Sequence, residues 1–156
     1  MKVGVADRVT LAQIVVNAPG TMDSAEAFAA VALGAVACDG VLGKEEAHAL
    51  RRQLEFRTPY CTRTEAEMGD LFDRLLTLLR QDGLSHLVNK ALPALSTSQQ
   101  ETALALAAQL VHADKVVAEE ETTFLEMLCT MMTLPTGRAS SIVEAIMALN
   151  RDSLAS

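Results

Sequence analysis

The chain has 156 residues, half of them hydrophobic, which suits one domain with a sizeable core and is short for two. Twenty acidic residues against 13 Lys and Arg give a net charge of -7 with no basic stripe, which argues against a nucleic-acid partner, because that affinity comes from clustered cations. Three scattered cysteines, Cys38, Cys61 and Cys129, form no CxxC pair, so neither a disulfide framework nor a thiolate zinc site is expected, and a reducing cytoplasm fits.

The first segment, MKVGVADRVTLAQIVVNAPG, is interrupted by Asp7, Arg8, Thr10, Gln13 and Asn17 and does not read as a signal peptide. A helix over 5–17 is expected there, and residues 1–22 form an N-terminal helix and linker ahead of a helical domain over 23–156. In the next helix, 23–38, Phe28, Val31, Ala32, Ala35 and Val36 follow the spacing of one buried face. A third helix, 44–56, precedes an irregular loop from Arg57 to Arg63 that contains Pro59. Thr64-Glu65-Ala66-Glu67 matches a capping box and opens a helix over 65–82, closed by Gly83. Its stripe of Met68, Leu71, Phe72, Leu75, Leu76 and Leu79 is broad enough to lie at the centre of a bundle. A helix over 84–94 follows, ending near Pro93. Ser98-Gln99-Gln100-Glu101 also matches a capping box and opens 98–113. Glu121, Phe124, Leu125, Leu128 and Met132 place a helix over 119–133, and Pro135 separates it from a last helix over 137–149.

No alternation of strand period competes with these signals. The fold class is all-α, a single-domain bundle of about seven to eight helices. The most apolar runs, 27–38 and 103–113, fall short of the roughly 20 residues that span a bilayer. A soluble protein is expected, one that can sit beside a membrane protein.

Two acidic corners stand out. Asp39-Gly40-Val41-Leu42-Gly43-Lys44-Glu45-Glu46 is echoed by Asp114-Lys115-Val116-Val117-Ala118-Glu119-Glu120-Glu121. Aligning Asp39 with Asp114 also places Val36 on Val111, Leu42 on Val117, Glu46 on Glu121 and Leu50 on Leu125, an internal helix–corner–helix repeat. The glutamates have an ordinary explanation, since a carboxylate in a first helical turn gains about 0.3–1 kcal/mol from the macrodipole. The aspartates fall at helix C-terminal ends, where the same field opposes them. Asp39 can offset this by organising a turn in which Gly40 takes the left-handed position, or by sharing a cation. An EF-hand is excluded, because the twelfth position from Asp39 is Leu50 where a bidentate Glu is required.

The paired corners in an all-helical frame resemble the bacterial tellurite-resistance TerB family, related to the N-terminal region of DjlA-type membrane co-chaperones. The likeness runs from about Ala25 to Asn150. It implies a non-catalytic intracellular stress-response protein of the tellurite-resistance type. It also implies a divalent cation, Ca²⁺, Mg²⁺ or Zn²⁺, held by Asp39, Glu46, Asp114 and Glu121, and protein partners that include membrane-protein complexes. Lys115 stands where the first corner has Gly40, and Gly43 and Ala118 stand where the pattern has hydroxyl N-caps.

Other chemistry finds less support. Glu45-Glu46-Ala47-His48 holds one E-x-x-H, but neither His86 nor His112 has the Glu three residues earlier that a di-iron bundle needs. His112, two residues before Asp114, is a further candidate for a metal shell. No nucleophile elbow or phosphate-binding glycine motif occurs, so an enzyme is not expected. The alternative function is a protein-binding helical adaptor without metal, its acidic residues only capping helices.

Overall fold

The computed structural model describes residues 21–40, 42, 44–113 and 116–156. The helix expected over 5–17 lies outside the described residues, as do Val41, Gly43, Asp114 and Lys115. Among the described residues the chain forms only helices and turns. In chain order these are α1 (Ser24–Ala37), α2 (Lys44–Glu55), a 3-10 turn (Tyr60–Thr62), α3 (Glu65–Asp82), α4 (Leu84–Ala91), a second 3-10 turn (Leu92–Ala94), α5 (Thr97–His112), α6 (Glu119–Met131) and α7 (Arg138–Leu149). The all-α bundle expected from periodicity is the fold. No helix among the described residues is long and apolar enough to cross a membrane.

The helix at the centre is α1. Ala27, Ala29, Ala30, Val31, Ala32, Leu33 and Ala35 are all buried, so this helix is apolar around its whole circumference, the mark of an enclosed element. Most of its side chains are a single methyl group, which lets neighbours approach closely from several directions; α5, α4, α2, α6 and α3 all pack on it. Periodicity places the stripe of α3 there instead, and this needs correction. Met68, Leu71 and Leu75 are buried, but Phe72, Leu76 and Leu79 are only half-buried, so α3 flanks the core. Its other face carries Asp70, Asp73, Arg74 and Arg80, which must stay solvated, whereas α1 contains only Glu26 as a charged residue.

Helix ends follow capping chemistry. Thr64 and Glu67 form the expected box at α3: Glu67 N–H donates to Thr64 Oγ1 at 3.1 Å, and Thr64 N–H to Glu67 Oε1 at 3.2 Å. Gly83 closes α3 with φ +85°, and its amide donates to Leu79 O at 2.9 Å. The box at α5 is displaced from Ser98–Glu101 to Ser96–Gln99, with bonds of 2.8 and 3.2 Å. Both quartets fit the pattern, and tertiary contacts decide between them. Glu101 accepts from Arg138 Nε at 2.7 Å, and Gln100 is buried. The helix expected over 84–94 ends at Ala91, where the chain tightens into the 3-10 turn around Pro93.

Gln100 is the buried polar side chain of the described core, 4% exposed. Its Nε2 donates toward the carbonyls of Leu92 and Leu95, each at 3.4 Å, and to Thr133 Oγ1 at 3.2 Å. Its Oε1 accepts from Thr133 N–H at 3.0 Å. One amide therefore joins the end of the α4 segment, α5 and the end of α6. Near the start of α1, the Tyr60 hydroxyl donates to Ala25 O, and burial holds its pKa well above the usual phenol value.

Two glycines test this packing with opposite signs. A Cβ on Gly34 would stand 2.9 Å from Phe124 Cε1 and Cζ and 3.1 Å from Leu84 Cδ1, whereas one on Gly69 meets nothing within 4 Å. Alanine gains up to about 1 kcal/mol of helix propensity at either site, but overpacking costs about 1–3 kcal/mol. Gly34→Ala should lower stability by about 1 kcal/mol net and Gly69→Ala raise it by about 0.5–1 kcal/mol, read from urea midpoints at unchanged m-value. Gln100→Leu should cost about 1–3 kcal/mol in the same assay, because it removes the partner of Thr133 N–H, while Leu92 O keeps its bond from Leu95 N–H at 3.1 Å.

Candidate functional site

The first corner begins where α1 stops. Cys38 is the C-cap and its Sγ donates to Ala35 O at 3.4 Å. Gly40 has φ +83°, and its amide donates to Ala37 O at 3.0 Å, so the left-handed position expected of this glycine is observed. Asp39 and Glu46 are exposed, the latter in the first turn of α2. At the second corner, α5 ends at His112 and α6 begins at Glu119. Since α1 ends at Ala37 and α2 begins at Lys44, both boundaries recur at the spacing that separates Asp39 from Asp114. The hydrophobic positions recur with them. Leu50 and Leu125 are buried, and Leu42 and Val117 are half-buried against the core.

Packing explains how the two corners meet. Phe124 of α6 presses on Gly34 of α1. One turn further along α1 stands Cys38, and one turn back along α6 stand Glu120 and Glu121. The result is felt by the thiol. Its pKa is pushed up to about 11, first by burial and then by the carboxylates of Glu121, Asp39 and Glu120. Acids from both corners therefore share one electrostatic field around Cys38. Cys129, on α6, is also raised, in its case by burial.

Glu121 has a structural duty as well. Its Oε1 accepts from Ala118 N–H at 2.9 Å, half of a capping box whose other half is missing because alanine offers no acceptor. A carboxylate has two oxygens and about four acceptor directions, so this bond leaves capacity for another donor or a cation. His112 is half-buried. Its Nδ1 lies 2.9 Å from Ala108 O, which can only accept, so Nδ1 carries the proton. The ring lines a cavity of about 300 Å³ with Val117, Asn150, Arg151 and Asp152 at the end of α7.

Of the four residues expected to hold a cation, Asp39, Glu46 and Glu121 lie at helix ends and Asp114 lies outside the described residues. The structure brings Asp39 and Glu121 into one field and adds Glu120, which the sequence explains as a first-turn acid, and Cys38, for which neither a disulfide nor a thiolate zinc site is expected. Among the described residues no set of three or more His, Cys, Asp or Glu is gathered around a point where a metal ion would fit. No family model, curated protein sequence or solved structure matches the chain.

The shared field has a measurable consequence. A thiol whose folded pKa is raised above its unfolded value stays protonated in the folded protein while the unfolded chain loses its proton, so this contribution to stability falls as pH rises from 9 toward 11. Alkylation of Cys38, followed by peptide mass spectrometry across this range, should show a midpoint near 11, and Asp39→Asn or Glu121→Gln should lower it. A midpoint unchanged in both variants would mean that the carboxylates do not act on the thiol.

Proposed function

We propose that the chain is a non-catalytic TerB-like domain of an intracellular, tellurite-resistance type stress response, holding a divalent cation between its two acidic corners. The observation that carries this reading is the convergence at Cys38, where Asp39 of the first corner and Glu120 and Glu121 of the second act on one thiol. Carboxylates from two corners that reach one thiol are the kind of oxygen ligands that a hard cation would share. The recurring helix boundaries support the resemblance on which the family reading rests. Asp39, Glu46, Asp114 and Glu121 are the proposed ligands, with water completing the shell, as Ca²⁺ and Mg²⁺ accept. The protein acts by binding, with a protein partner in the cytoplasm.

Calorimetry and melting temperature with Ca²⁺, Mg²⁺ or Zn²⁺ on chelator-treated protein test the site. A cation that binds the native state raises the melting temperature by mass action, and Asp39→Asn should abolish that rise. Cys38 gives a second readout. An oxygen-bound cation should lower the thiol pKa and speed its alkylation, whereas zinc held by the thiolate itself should suppress alkylation. No cation-dependent change in either measurement would leave the corners as helix caps and make the protein a metal-free adaptor.

A further inference from the structure

A second region is built differently from the corners. Both α6 and α7 pack on α5, and the space between them is a cavity of about 600 Å³. Its apolar lining comes from both walls: Leu125 and Cys129 from α6, Val143 and Met147 from α7, with Val117 at one end. α7 itself has no buried residue. Ile142, Val143 and Ile146 are half-buried, while Met147 is 41% and Leu149 73% exposed, so its apolar stripe is wider than α5 covers. A stripe left open beside a second helix is the geometry that receives the apolar face of a partner helix.

Charge narrows the choice of occupant. Glu126 on α6 and Glu144 on α7 line the groove from opposite walls, and among the described residues its lining contains no Lys or Arg. Neither carboxylate has an ion-pair partner among the described residues. A second copy would press this acid-lined groove of a chain with net charge -7 against its own kind, and like-charge contacts across an interface are costly. We propose that the α6–α7 groove docks an amphipathic helix of a partner protein whose apolar face fills the groove and whose Lys or Arg side chains meet Glu126 and Glu144. The groove adjoins the second corner at Val117 and His112, but none of Asp39, Glu46 and Glu121 lines it.

Two synthetic amphipathic helices of about 18 residues, five turns, with one shared Leu/Val stripe serve as probes, one bearing Lys and the other Glu on the polar face. The Lys helix should bind at least about tenfold more tightly than the Glu helix in fluorescence anisotropy, a difference of about 1.4 kcal/mol. It should also protect Cys129 from alkylation while the exposed Cys61 reacts as before. The double variant E126Q/E144Q should remove the preference for Lys, and Met147→Asp should abolish binding of both helices. Asp39→Asn should leave peptide binding unchanged, which separates this groove from the corner site. Equal affinity for the two helices, or binding without protection of Cys129, would overturn the proposal. So would a concentration-dependent dimer in sedimentation that Met147→Asp dissociates, an outcome that assigns the groove to a second copy. If Met147→Asp fails to fold by circular dichroism, E126Q/E144Q decides alone, since it alters only exposed side chains.

Discussion

The close approach of α1 to α6 at Gly34 and Phe124 is the constraint on which the rest depends. A residue without a side chain lets an aromatic ring lie against the helix backbone, and a methyl group there would come within 2.9 Å of that ring. This contact fixes how near the two helices run and therefore how near their far ends come. The electrostatics at Cys38 owe more to packing than to local sequence, since burial and Glu121 come before the adjacent Asp39. Burial of Phe124, Leu125 and Leu128 holds α6 on the core, and the acids of its first turn are carried along on the same helix.

Some of this was legible in the residues and some was not, for physical reasons. The helix over 65–82 has the bounds expected of it, because Thr64 with Glu67 and Gly83 write both ends in local chemistry. Where two local patterns compete, as with Ser96 and Ser98, the choice is made by partners far along the chain: Thr133 for Gln100 and Arg138 for Glu101. The central helix was obscured for a different reason. Counting large apolar residues favours α3, but enclosure requires small ones, and α1 is enclosed because its alanines admit neighbours on every side. At the candidate site, the helix-end positions of Asp39, Glu46 and Glu121 follow from the corner motifs. The involvement of Glu120 and Cys38 does not, since it arises from contacts between segments some 80 residues apart in sequence.

The two accounts of the acidic corners, capping and cation binding, are not mutually exclusive at the level of atoms. Glu121 caps α6 with one oxygen while its charge acts on Cys38 across the gap to α1. A residue used in this way is held in place before any ligand arrives. The cost of orienting that side chain is met during folding and not at the moment of binding.

The hydrogen bonds that tie separate elements together through Gln100, Tyr60 and Ser24 all lie at the end of the bundle where α1 and α5 begin. Directional bonds of this kind resist sliding and rotation in a way that methyl-to-methyl contacts do not. At the other end, beside the second acidic corner, Asn150 Nδ2 donates to Gln109 Oε1 at 2.8 Å and ties the end of α7 to the end of α5. α5 is thus pinned by side-chain bonds at both its ends. A strut held in this way resists turning about its own axis, and slow amide exchange should extend along α5 from Gln100 to Gln109.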